Sequence, residues 1–203
     1  YVRYERSYDG WLPGSDRIFQ VQTVREEPGQ PVVRSQNSPF PVHDMLTGTF
    51  SDIAASSVLR AGKTVTMRDG EPLFIDVQMV DPDFFKVFRL TFLAGSAATA
   101  LSNTNSIVIT RTEAIRQFGR VDVLGRTMSL GAGDGRRDRA VSGVIEDLPR
   151  NSSLRLSLLY RYDPAEFDQW PARLRGWNAM DQQHYVRLRD GADAATVERA
   201  LAA

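Results

Sequence analysis

Catalysis needs side chains that carry a proton, a charge or a nucleophile in a workable pattern, and this chain offers few. Its 203 residues include two histidines and no cysteine, so it contains no thiolate and no disulfide. His43 falls in a helix-like stretch and His184 in a strand-like one, and neither has a second ligand at a spacing such as H-x-x-x-H. Each reads as a surface or half-buried ring. No serine lies in a G-x-S-x-G elbow. Gly131, Gly133 and Gly135 in GAGDGRRD hint at a phosphate cradle, but no P-loop lysine or helix follows, and a hairpin loop explains them. Glu26-Glu27, Asp81/Asp83 and Glu146-Asp147 each suit a turn or a helix cap. No catalytic residue, metal or cofactor is expected. A hydrolase stays open only through carboxylates distant in sequence that meet in space.

The densest local pattern is VDPDFFKVF, residues 80–88. Asp81 can cap the first free N–H groups of a short helix, Pro82 suits its first position, and Asp83 favours the positive helix end. Phe84 and Phe88 then share a face at i,i+4, with Phe85 and Val87 beside them. Burying each ring is worth about 1.5–3 kcal/mol, and soluble domains rarely expose such a cluster. The rings are expected in a core; a ligand or partner pocket is the alternative.

Around this motif the pattern alternates between strands and helices. Tyr1, Tyr4, Tyr8 and Trp11 form one helical stripe, which either packs on the domain or continues out of a membrane at headgroup level. Asp16–Arg25 alternates as a strand, EEPGQ turns, and PVVRS returns. Pro41 opens a helix carrying Val42, Met45, Leu46 and Phe50, and SSVLRAG follows as a strand, a βαβ-like grammar. KTVTM and PLFIDVQMV flank Asp69-Gly70, a hairpin signal. SAATAL reads as a short helical piece. SIVIT is a strand, and Thr110–Glu113 has capping-box spacing before a helix with Ile115 and Phe118 on its apolar face, closed by Gly119. RTMSL and RAVSGVI are strands. Asp163-Pro164 starts a helix with Phe167, Trp170 and Leu174. The chain finishes as a strand through His184, a turn at Asp190-Gly191, and a helix from Asp193 bearing Val197 and Leu201.

Composition is that of a globular chain, 42% hydrophobic and 25% charged. With 25 basic and 25 acidic residues the net charge is zero, which disfavours nucleic acid as a partner. No apolar run reaches the roughly 20 residues that cross a bilayer. Both ends interrupt a pattern, so the sequence is expected to be a segment of something longer.

Several stretches, in order, resemble one family: YERSYDGWLPGSDRIFQVQ, VDPDFFKVFRLTFLAG, ALSNTNSIVITRTEAIRQFG, DVLGRTMSL, VSGVIEDLPRNSSLR and HYVRLRDGADAATVERAL. They are similar to the MacB-like periplasmic core domain of MacB/FtsX-type ABC transporter permeases. GAGDGRRD and the region from Asp163 to Asp181 depart from that pattern. The resemblance implies an α+β fold of two lobes. A strand-helix, βαβ-like Porter lobe would comprise residues 1–67 and 172–203, and a hairpin-rich Sabre lobe, residues 68–171, would be inserted in it. It further implies a domain between the first and second transmembrane helices of a permease, on the periplasmic side of the bacterial cytoplasmic membrane. Tyr1, Tyr4, Tyr8 and Trp11 would then be membrane-proximal, and Asp81, Pro82, Asp83, Phe84, Phe85 and Phe88 structural. A separate cytoplasmic ATPase would supply the energy. A permease dimer or pseudo-dimer and a periplasmic adaptor or substrate protein would be partners. Relatives drive tripartite efflux, lipoprotein extraction or activation of cell-wall hydrolases. The domain itself would transmit motion without catalysis and without a cofactor. The alternative is a sensor module that binds a ligand or peptide between the lobes.

Overall fold

The computed structural model describes residues 9–39, 41–68, 70–161, 176–177 and 179–202. The expected helix from Asp163 with Phe167, Trp170 and Leu174, the residues Tyr1, Tyr4 and Tyr8, and the turn residue Asp69 lie outside the described residues. Within them the fold is mixed: a nine-stranded sheet, a small two-stranded sheet and four short α-helices.

The longest element is β4, Ile53–Arg68, which corrects the expectation of two strands parted at Ala61-Gly62. Its ladder with β5, Glu71–Val80, is unbroken from Leu59↔Val80 to Arg68↔Glu71. Gly62 causes no break because it pairs with Val77 within that ladder. Gly70 supplies the positive φ of +86° that the tight connection demands.

The expected first strand divides. Ser15–Arg17 is a 3₁₀ turn, β1 runs Ile18–Val21, and β2, Thr23–Arg25, leaves the main sheet to pair with β3, Val33–Ser35. Helix α1, Val42–Thr49, follows. The C-terminal strand β11, Gln183–Leu188, lies between β1 and β4 and antiparallel to both. The β1–α1–β4 unit is therefore a βαβ arrangement opened to admit a strand from the other end of the chain.

On the far side of β4 the pairing closes on itself. β10, Leu158–Arg161, is parallel to β5 and antiparallel to β7, Ser106–Thr110. β7 is parallel to β9, Arg137–Ile145. β8, Thr127–Leu130, joins β9 back to β4 through Thr66↔Leu130. The ring β4-β5-β10-β7-β9-β8 encloses Ile75, Val77, Ile107, Ile109, Val141 and Leu158. β6, Phe92–Gly95, pairs with β9 at the outer edge.

The four helices cover this framework. α2, Phe84–Val87, packs on one face of the sheet and α1 on the other, where it meets α4, Ala194–Leu201. Strand alternation explains the division: Val186 and Leu188 of β11 point to α1 and α4, whereas Tyr185 packs in the α2 core. α3, Arg111–Phe118, closes the ring, with Thr110 accepting the Glu113 N–H at 3.3 Å and Gly119 at φ +70° after it. Its inward residues are Ala114 and Phe118. Ile115, expected on the apolar face, is 49% exposed. Glu113 takes an interior position instead, holding Gln117 at 2.7 Å and Arg116 at 3.6 Å. SAATAL forms hydrogen-bonded turns rather than a helix, because only Ala100 makes an i→i−4 bond, to Ser96 at 3.0 Å.

Candidate functional site

The sequence stretches that stand far apart in the chain converge around α2. Asp81 is the hinge of its own motif. One carboxylate oxygen accepts the Asp83 N–H at 2.7 Å and the other accepts the Val58 N–H of β4. It thus starts the turn and extends the β4–β5 ladder by one side-chain bond. Burial raises its pKa, opposed by the Val58 N–H, the nearby His43 and the Asp83 N–H. Pro82 follows, and Asp83 pairs with Lys86 at 2.8 Å. Phe84, Phe85 and Phe88 are all buried, with Phe84 4.9 Å from Phe88 and 5.1 Å from Phe85, centroid to centroid. Phe92 and Tyr185 extend the group edge-on. The rings pack in one buried cluster with Ala100, Leu101 and Leu154.

Into this core come residues 9–14, with Leu12 buried and Trp11 half-buried against it. Asp9 holds a left-handed φ of +55°, uncommon for a residue with a Cβ. The conformation is held by a cluster of bonds. The Asp9 N–H donates to the Asn151 carbonyl at 3.0 Å. Its carboxylate accepts the Ser153 N–H at 2.9 Å, the Ser152 hydroxyl at 3.3 Å and the Ser153 hydroxyl. The DG of the first stretch therefore grips the NSS of the fifth. Burial, with the Asp9 charge added, pushes the Tyr185 phenol up to about 12.

Arg187 ties the other end of the same segment. It is 2% exposed. Its Nε and Nη2 donate to the Val87 carbonyl at 2.9 and 2.7 Å, Nη2 also to Pro13 at 2.9 Å, and Nη1 to Gly14 at 3.4 Å. These are three carbonyl acceptors and, among the described residues, no carboxylate partner. Burial lowers its pKa, aided by the positive charges of Arg89 and Arg17. One guanidinium joins the end of α2, the 13–14 turn and β11.

The fifth stretch also grips α3. Asp147 accepts the Thr112 N–H at 2.9 Å and its hydroxyl at 2.8 Å, and Arg111 pairs with Glu146 at 2.9 Å. A groove of about 280 Å³ beside this contact is lined by Arg116, Arg155 and Leu156 among others. Asp147 and Glu113, on its wall, are already engaged.

The two histidines meet, and His184 is fully buried where a surface or half-buried ring was expected. His43 of α1 stacks 6.4 Å from His184 of β11. His184 is fully buried, and neither of its ring nitrogens finds a hydrogen-bond partner among the described residues. Burial first, then the His43 charge, lowers its pKa to about 4, so it is neutral at pH 7. Among the described residues no three histidine, aspartate or glutamate side chains converge on a metal geometry. Ser153 and Asp9 form a hydroxyl–carboxylate pair away from the two histidines, which sit at the α1–β11 contact.

Sequence reasoning missed Asp9, Ser152, Ser153 and Arg187. Arginine in YVRLRD looks solvent-facing, and only its alternation with Val186 and Leu188 places it on the α2 side. The site is a set of clamps that hold residues 9–14 against the sheet.

The chain matches the family model of the MacB-like periplasmic core domain over residues 5–203 and belongs to that family, the periplasmic domains of MacB/FtsX-like ABC transporter permeases. A crystallised domain assigned to a permease of Porphyromonas gingivalis is similar at TM-score 0.73 and 24% identity, covering 94% of this chain and 81% of that one. The periplasmic region of MacB from Actinobacillus actinomycetemcomitans is similar at TM-score 0.60 and 14% identity, covering 81% and 72%. The extracellular domain of the noncanonic ABC-type transporter YknZ from Gram-positive bacteria gives TM-score 0.55 and 15% identity, covering 90% and 86%. Among curated proteins there is no match. Among the described residues no helix is long and apolar enough to cross a membrane.

Proposed function

We propose that this domain transmits ATP-driven motion of a permease to proteins outside the membrane. In this reading a separate cytoplasmic ATPase closes on ATP, the membrane helices move, and residues 1–14 carry that movement into the domain. The permease works as a dimer or pseudo-dimer and passes motion to a periplasmic adaptor or substrate protein. Tyr1, Tyr4, Tyr8 and Trp11 lie on the path from the membrane. Residues 1–67 with 172–203, and 68–171, act as the Porter and Sabre lobes. The observation that carries the proposal is the double clamp on residues 9–14, by Asp9 to Ser152 and Ser153 and by Arg187 to Pro13 and Gly14. A segment that only linked domains would not need a buried guanidinium at one end and a strained, multiply bonded aspartate at the other.

The test is an uncoupling experiment on the intact permease with its ATPase. Asp9→Ala is expected to leave ATP hydrolysis running while the permease's outward action fails. Equal loss of both, or loss of neither, contradicts the proposal.

A further inference from the structure

Among the described residues, the ring of strands has an unpaired lane along β5. β10 pairs with β5 only from Val77 to Val80. Toward the hairpin tip, Glu71–Asp76 are paired with β4, and among the described residues nothing pairs with them on the other side. Residues 154–157, which lead into β10, turn away from β5, with only the Gln78 side chain reaching back to the Arg155 carbonyl at 3.3 Å. Their departure opens a groove of about 420 Å³ over Ala61 and Gly62, bounded by Asp76, Gln78 and Arg155.

Pro72 shows which backbone groups face the lane. It has no N–H, yet the ladder with β4 runs through Met67↔Pro72 without a shift, so its nitrogen points away from β4. With a period of two, the N–H and C=O of Phe74 and Asp76 point the same way, and those of Gln78 and Val80 point to β10. Phe74, beside these groups, is 73% exposed, with Val65 across from it and exposed Met67 and Pro72 one step along the same face. An edge of this kind is normally paired or blunted.

We infer that the Pro72–Asp76 edge of β5 is a docking site for an extended segment of a partner polypeptide, which adds a strand in the lane that β10 vacates. Main-chain bonds to Phe74 and Asp76 supply affinity, and an apolar side chain against Phe74 supplies selection. A second copy of this chain fits less well, because symmetric pairing meets the missing donor twice, once from each Pro72. The inference goes beyond the permease reading and does not depend on motion being transmitted.

The test uses this chain with a phage-displayed library of peptides of about ten residues, about the length of lane and groove together. Enriched peptides are expected to carry alternating apolar residues and to slow hydrogen exchange at the Phe74 and Asp76 amides. Phe74→Asp removes the apolar contact and Phe74→Pro removes an outward N–H. Each is expected to weaken binding about tenfold or more while thermal unfolding is retained. No enrichment over the Phe74→Asp background overturns the site, as does peptide protection mapping elsewhere. Protection at Phe74 and Asp76 that grows with protein concentration alone overturns the partner in favour of a second copy.

Discussion

Replacing Arg187 with methionine tests the clamp by removing every donor while keeping an unbranched apolar chain in the same space. Three bonds of 2.7–2.9 Å and a longer one of 3.4 Å are lost. The buried Val87 carbonyl loses both of its donors, at about 1–3 kcal/mol, and the carbonyl of exposed Pro13 loses a bond worth about 0.5–1.5 kcal/mol. Against this, the fold no longer has to desolvate the guanidinium, which returns part of that cost. The net expectation is a loss of about 1–3 kcal/mol, or roughly 2–12 °C in Tm for a chain of this size. Arg187→Lys is expected to fall between, because one ammonium cannot reach carbonyls on both sides at once. The assay is chemical and thermal unfolding of the three proteins, with hydrogen exchange at residues 12–15 as a local readout. Arg187→Met unfolding like the parent would refute the reasoning, since the guanidinium would then contribute nothing beyond its bulk.

Four further outcomes are expected. Phe85→Ala or Phe88→Ala lowers stability by about 3–5 kcal/mol in denaturant titration, as buried aromatic truncations do; unchanged unfolding removes the core assignment. Asp9→Gly is less destabilised than Asp9→Ala by about 1 kcal/mol, because both lose the carboxylate bonds but only glycine relaxes at φ +55°; equal unfolding curves deny the strain. Asp147→Ala costs about 1 kcal/mol through the first turn of α3, read as faster exchange at Thr112. His184 sets a pH dependence: its folded pKa of about 4 lies below the unfolded 6.5, so its contribution is intact above pH 6.5 and lost as pH falls toward 4. At pH 5 the loss is on the order of 2 kcal/mol. Asp81, with its raised pKa, acts in the opposite sense, so the His184 effect is read as the pH 7 to 5 slope of the parent minus that of His184→Asn. Parallel slopes contradict a buried, neutral His184.

Much of the fold was legible because local rules and tertiary packing agree. The Asp69-Gly70 hairpin signal flanks a ladder that keeps register through Arg68↔Glu71, the Thr110 cap and Gly119 stop bound α3, and Asp193 caps α4. What failed depended on pairings between distant residues. β4 continues through Ala61-Gly62 because β5 lies alongside, which no window of sequence reveals. Ile115 faces out because the helix is rotated by Ala114 and Phe118 packing on the ring. β11 enters between β1 and β4 from more than a hundred residues away. The clamps were illegible for the same reason: Asp9 and Ser153, or Arg187 and Val87, carry no signal until the chain has folded.

The most direct test of the transmission claim is to place a donor dye at exposed Glu27→Cys, on the β2–β3 connection, in the intact permease with its ATPase in vesicles bearing acceptor lipid. Energy transfer to the membrane surface is expected to differ between the nucleotide-free and ATP-trapped states, and to lose that difference in Asp9→Ala. Identical transfer in both states, with ATP hydrolysis intact, would contradict the account.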